Sequence, residues 1–301
     1  MQKIVISGGT GFIGRAVVAA LHARGDDVTV LSRDPSRARV TAASQVRFEA
    51  WDGHRSPASV DGSDAVIHLA GEPAIGKRWS DAVKQEIVAS RVRSTEHLVD
   101  AMGVASRRPS VFVCASAIGY YGAHGDEPLD ETADAGSDFL ARVTLAWEAA
   151  ASRAGEFGVR VVRARFGVVL GRGGGALAEM ARPFKLFVGG PIASGAQIVS
   201  WVHIDDAVGA VLRAVDDVRL QGPINVTAPE AVTNKELSDV IGRVLRRPSV
   251  MRVPEVALRV AFGEAAGPLI SGQRAVPAVL QRVGYAFRYS RIEDAVRQAA
   301  G

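Results

Sequence analysis

Ser7-Gly8-Gly9-Thr10-Gly11-Phe12-Ile13-Gly14-Arg15 joins a short apolar segment, residues 3–7, to an amphipathic helical pattern over residues 12–24. Gly8, Gly11 and Gly14 are spaced G-x-x-G-x-x-G. Glycines at such a strand-to-helix turn allow a tight reversal and let a pyrophosphate approach the backbone, and the third lets the helix sit close on the strand. The free N–H groups and positive dipole of the helix start then face the anion. Gly8, Thr10, Gly11, Phe12, Ile13 and Gly14 are therefore read as a dinucleotide-binding elbow.

Outward from that elbow, β-rich runs alternate with helical stretches. Strands are expected at 3–7, 27–31, 46–49, 65–69, 110–115 and 159–165, with helices at 12–24, 80–102 and 138–156. The runs lack polar alternation, as strands buried on both faces do. The fold class expected is α/β, a Rossmann-type doubly wound parallel sheet. Residues 1–166 form the dinucleotide-binding domain in this reading. Residues 167–301 form a smaller mixed α/β substrate-side lobe, from which a strand near 223–227 is free to return to the sheet. In that half, helices are expected at 205–215, 234–245 and 292–299. Thr233 and Glu236 make a capping-box pattern before the second of these.

Composition narrows the function. The chain has 301 residues, 48% hydrophobic and 23% charged, which excludes disordered and fibrous classes. A single cysteine, Cys114, rules out an intrachain disulfide and a thiolate metal cluster, and fits a reducing cytoplasm. The formal charge is +4, but the arginines are scattered and no aromatic-basic surface pattern accompanies them, so no nucleic-acid partner is expected. The longest charge-free run, 186–204, is broken by glycines and a proline and is not a membrane span. The N-terminal residues enter a strand pattern at once, without the apolar stretch of a signal peptide. The expected partner is a small-molecule substrate, and no metal ligand set is assigned.

The end of the second strand bears on the cofactor. A carboxylate there would accept hydrogen bonds from a ribose 2′-hydroxyl. This chain has Ser32 and Arg33 instead, which suit a 2′-phosphate and favour NADP(H) over NAD(H). Arg15 and Arg37 are lesser candidates for the same phosphate. Asp52, after the third strand, could meet the adenine amino group or simply begin a turn with Gly53.

The elbow, the segment Asp64-Ala65-Val66-Ile67-His68-Leu69-Ala70-Gly71 and Ser116 together resemble an extended short-chain dehydrogenase/reductase. Gly71-Glu72-Pro73, Arg78-Trp79, Gly119-Tyr120-Tyr121-Gly122, Trp147-Glu148, Gly189-Gly190-Pro191 and Ser200-Trp201-Val202-His203-Ile204-Asp205-Asp206 resemble one branch of it, the epimerase family proteins with their own C-terminal domain. The resemblance spans essentially the whole chain. It implies NADP(H) in a Rossmann domain and a substrate cleft closed by the second lobe. Leu69, Ala70 and Gly71 would line the nicotinamide ribose, Ser116 would supply the active-site hydroxyl, and Arg165 would pass the nicotinamide end. A homodimer through the helix at 80–102 is the association the resemblance suggests.

One part of the superfamily's chemistry is missing. Its Tyr-x-x-x-Lys pair lowers the tyrosine pKa through the lysine charge, so that a phenolate forms near neutral pH. Residues 138–148 contain neither residue, and Tyr120, Tyr121, Tyr285 and Tyr289 are followed four positions on by His124, Gly125, Tyr289 and Glu293. Arg142 could hold the ribose in place of the lysine. Glu72, Tyr120 and Tyr121 are the candidates to move the proton, with Ser116 orienting the oxygen. Lys185, Gln197, Trp201 and His203 are the substrate-side candidates, with Trp201 either stacking on a ring or, the favoured reading, filling the interface between lobes. His68 and Cys114 read as core residues. Two functions follow: an NADP(H)-dependent oxidoreductase or epimerase-like enzyme, or a catalytically quiet NADP(H)-binding sensor.

Overall fold

A computed structural model describes residues 1–36 and 46–300. Arg37 lies outside the described residues. Seven parallel strands form the central sheet: β1 (Lys3–Ser7), β2 (Asp27–Ser32), β3 (Arg47–Ala50), β4 (Ala65–His68), β5 (Val111–Ala117), β6 (Arg160–Phe166) and β7 (Gly222–Val226). Their order is β7-β6-β5-β4-β1-β2-β3, so the chain reverses its direction of growth beside β1. Ligands of open α/β sheets bind at that switch point, beyond the carboxyl ends of the strands.

The Val- and Ile-rich runs become strands because helices cover both faces of them. Ile4, Ile6, Val66, Ile67, Phe112 and Val113 are at most 2% exposed. The flanking helices are α1 (Phe12–Ala23), α2 (Asp81–Val104), α3 (Phe139–Ser152) and α5 (Ile204–Asp216), while α4 (Gly175–Lys185) and α6 (Asn234–Leu245) pack in a second core. Ser80 and Asp138 cap α2 and α3 by accepting from Val83 N and Ala141 N. The helical reading of 138–156 ends sooner than expected. α3 stops at Ser152 and tightens into a 3₁₀ turn, Arg153–Phe157, closed by Gly158 in the left-handed region.

The chain after β6 serves both layers. α5 packs on α1, and β7 joins the sheet edge beside β6, so residues 204–226 return to the Rossmann layer. The rest of the lobe forms a second core around Leu170, Leu177, Phe184, Trp201, Leu237, Ile241 and Val296. Short strand pairs tie it together: Val168–Leu170 with Trp201–His203, and Ile198–Val199 with Val232–Thr233. The expected capping box at the start of α6 is formed by Thr233 and Glu236. A further pair, Pro128–Leu129 with Arg274–Ala275, joins the C-terminal segment to the loop after β5.

Candidate cofactor and substrate site

The elbow is built around two close approaches. Gly8 has φ +72°, and a Cβ on it would stand 2.5 Å from the Leu69 carbonyl carbon. A Cβ on Gly14 would stand 2.0 Å from Gly8 O. Glycine is thus required at both, one for the chain leaving β4 and one for helix–strand packing. Gly11 N donates to Gly8 O at 2.9 Å and closes the turn. Gly11 caps α1 without a side-chain hydrogen bond, which leaves the first helical N–H groups directed outward. The Phe12 ring lies where the chain after residues 168–170 crosses, in close approach to Gly171, Gly174 and Gly175. This turn fits a dinucleotide pyrophosphate: the first helical N–H groups have no side-chain cap and the helix dipole has the right sign.

Beside the turn, the ends of β2 and β4 are joined. Arg33 Nη1 donates to Glu72 Oε1 at 3.2 Å, with Arg33 79% and Glu72 28% exposed. Glu72 is therefore paired with Arg33 at the ends of β2 and β4. Ser32 Oγ accepts from Asp34 N. Leu69 N donates to Ser7 O, which brings Leu69 and Ala70 against Gly8. Gly71 lies beside the guanidinium of Arg91, which donates to Glu72 O at 2.8 Å. Asp52 takes the turn role: it accepts from His54 N at 2.9 Å, ahead of Gly53 at φ +88°. That backbone hydrogen bond holds its carboxyl below the usual range.

The other end of the site rests on a buried polar network. Ser116 Oγ donates to Glu148 Oε1 at 2.6 Å, and Arg165 grips both Glu148 oxygens at 2.7 and 2.9 Å. Burial opposes the Arg165 charge, but Glu148 and Tyr121 more than offset it and raise its pKa. Arg165 Nη1 donates to Tyr121 Oη at 3.0 Å, and Tyr121 donates in turn to Asn225 Oδ1 at 2.8 Å. Glu131 accepts from Asn225 N, and burial raises its carboxyl above the usual range. The Arg165 guanidinium carbon stands 3.4 Å from the Tyr120 ring centroid.

Several sequence expectations change here. Tyr121, a candidate to move the proton, is fully buried with its hydroxyl used inside the network. Arg165 is 2% exposed, and its guanidinium is held by Glu148. Arg142 points back along α3 to Ser137 O from an exposed position. Trp201 is fully buried in the second core, where packing takes it. His203 is also buried, packed on Tyr289 with Nε2 against Gln298 Oε1, and its Nδ1 caps α5. Gln197 is pinned by Ile192 O and Leu269 O, and Lys185 is exposed at the end of α4. Gln197 Oε1 is buried without a hydrogen-bond partner among the described residues.

Glu148, which the sequence reading leaves without a role, is the carboxylate that joins Ser116 to Arg165. Its signal was a lone carboxylate on the largely apolar helix around Trp147. The α3 face toward Ser116 carries Leu140, Thr144 and Glu148 at four-residue spacing. Leu140 lies against Gly119, and Thr144 Oγ1 donates to Leu140 O. A Tyr-x-x-x-Lys pair would need that face, and its place is filled otherwise.

The strand order, elbow and switch-point site define a Rossmann-type protein of the extended short-chain dehydrogenase class, and the chain belongs to the NAD dependent epimerase/dehydratase family, whose model matches residues 4–227. A domain of unknown function, DUF1731, matches residues 253–299. The chain is 40% identical to the epimerase family protein SDR39U1 homolog, chloroplastic, of Arabidopsis thaliana over 98% of this chain and 86% of that one. It superposes on the crystal structure of human epimerase family protein SDR39U1 (isoform2) with NADPH at a TM-score of 0.90, with 33% identity and 99% of each chain covered. The UDP-glucuronic acid 4-epimerase of Bacillus cereus, in complex with UDP-glucuronic acid and NAD, shares the fold at TM-score 0.81 and 15% identity, over 99% of this chain and 97% of that one. No helix among the described residues is long and apolar enough to cross a membrane.

Proposed function

We propose that this protein is an NADP(H)-binding oxidoreductase or epimerase-like enzyme that acts on a small molecule without a Tyr–Lys pair. The observation that carries the reading is the elbow: Gly8 and Gly14 let β1, the β4 end and α1 pack closely, and the start of α1 has no side-chain cap, so its first N–H groups are free for a pyrophosphate. Arg33 at the end of β2 supports the phosphorylated cofactor, and the human relative crystallised with NADPH supports it independently. A bound nicotinamide would supply hydride donation or acceptance at a carbon bearing oxygen. The lone buried Cys114 suits a reducing compartment such as the cytoplasm.

The chain's own residues define the proton side. Ser116 donates its hydroxyl hydrogen bond to Glu148, so its oxygen is left to accept from a donor such as a substrate hydroxyl. Of the three proton candidates, Glu72 is held by Arg33 and Tyr121 is enclosed. Tyr120 remains, half-buried beneath the Arg165 guanidinium. The test is a carbonyl and alcohol panel followed by NADPH absorbance in single turnover. Oxidation by wild type and its loss in Tyr120→Phe is expected, and unchanged turnover in that variant would remove Tyr120 from the mechanism.

A second reading, a quiet NADP(H) sensor, rests on one observation: the α3 face opposite Ser116 carries Leu140 and Thr144 rather than an acid–base pair. Tight NADPH binding with no oxidation across the panel would favour it.

A further inference from the structure

Resting on NADP(H) as the cofactor, we infer that Glu72 is an internal competitor for the 2′-phosphate, a carboxylate that occupies Arg33 and sets how strongly the site prefers NADPH to NADH. In dinucleotide sites that select NAD(H), the carboxylate at the end of the second strand accepts from the ribose 2′-hydroxyl, while an arginine there suits the 2′-phosphate. This site has both groups. Arg33 stands at the end of β2, and the carboxylate arrives from the end of β4, 39 residues further along, at 3.2 Å.

The position of Glu72 is fixed from its backbone. Arg91, itself stacked on the Trp147 ring, donates to Glu72 O at 2.8 Å, and Glu72 N donates to Ser90 Oγ at 3.2 Å. Glu72 is the more enclosed partner and Arg33 the more open one. The carboxylate thus stays where it is built, and the long arginine side chain is the part that can turn to another anion. A 2′-phosphate must draw Arg33 off Glu72 and then sit near a fixed negative charge. A 2′-hydroxyl meets no such opposition, since Glu72 can accept its hydrogen bond. The contact is solvent-exposed, so the competition is modest and falls with salt.

The experiment is fluorescence titration of wild type, Glu72→Gln, Arg33→Gln and the double variant with NADPH, NADH and adenosine 2′,5′-bisphosphate at low salt. Removing the carboxylate should tighten NADPH and the bisphosphate about five-fold while leaving NADH unchanged or weaker. In the Arg33→Gln background the Glu72 effect should shrink toward the small residual of charge repulsion, because the two groups act through each other. The inference is overturned if Glu72→Gln weakens NADPH and NADH alike, or if its full effect persists without Arg33. Wild type that binds NADPH, paired with an inert Glu72→Gln, overturns this inference and leaves the proposed function standing. Wild type that binds neither cofactor overturns both.

Discussion

Arg165 and Glu148 face each other through two hydrogen bonds, Nε to Oε1 at 2.7 Å and Nη2 to Oε2 at 2.9 Å, with both side chains at most 4% exposed. The pair joins β6 to α3 and holds Ser116 at the end of β5. Two desolvated charges are tolerable because nearly every polar atom they carry is engaged. The pair therefore acts more as a register for Ser116 and Tyr120 than as a source of net stability.

Removing one partner should be far worse than removing both. Glu148→Ala leaves a buried guanidinium uncompensated and should cost about 3–5 kcal/mol, measured by urea unfolding. Glu148→Ala combined with Arg165→Met should recover part of that loss. A double variant no more stable than the single one would deny the pair its coupling.

Gly14→Ala tests the elbow. The added Cβ would stand 2.0 Å from Gly8 O, so the turn must open. A stability loss of about 1–3 kcal/mol is expected, with NADPH affinity reduced by more than about ten-fold. Thermal unfolding and cofactor titration read the two effects separately.

The tyrosine pair separates structure from chemistry. Tyr121→Phe removes the group between Arg165 and Asn225 and should cost about 1–3 kcal/mol. Tyr120→Phe keeps its ring against Arg165 and should change stability by less than about 0.5 kcal/mol. Equal losses in denaturant melts would show that both hydroxyls are structural.

His68 makes stability depend on pH. It is buried between Ser7 and Ser94, and desolvation first, then the Arg91 charge, lowers its pKa to about 3 from 6.5. The unfolded chain thus binds the proton that the folded one refuses. Stability is full above pH 6.5 and falls as the pH drops toward 3, by up to about 1.4 kcal/mol per pH unit. Glu131 and Asp206, raised by burial, contribute with the opposite sign, stabilising at low pH and losing that as pH rises. They remain in His68→Gln, so the wild-type minus variant slope isolates the histidine. Parallel unfolding curves for the two proteins between pH 6.5 and 4 would refute this account.

The sequence by itself determined the parallel strands, the elbow and the helix caps, because each is a matter of neighbours within a few positions. Gly8, Gly11 and Gly14 announce a turn between strand and helix, Thr233 and Glu236 announce a cap, and unbroken Val- and Ile-rich runs announce strands covered on both faces. Only the tertiary structure decided which polar groups meet. Glu148 reaches Ser116 across 32 positions, Arg33 reaches Glu72 across 39, and Tyr121 reaches Asn225 across 104. Those contacts depend on how the crossovers stack helices and order strands. No local pattern shows whether a tyrosine, a histidine or an arginine ends at a cleft or closes into a buried network. The physical reason is that secondary structure follows short-range periodicity, whereas burial and charge pairing follow from distant segments packing together.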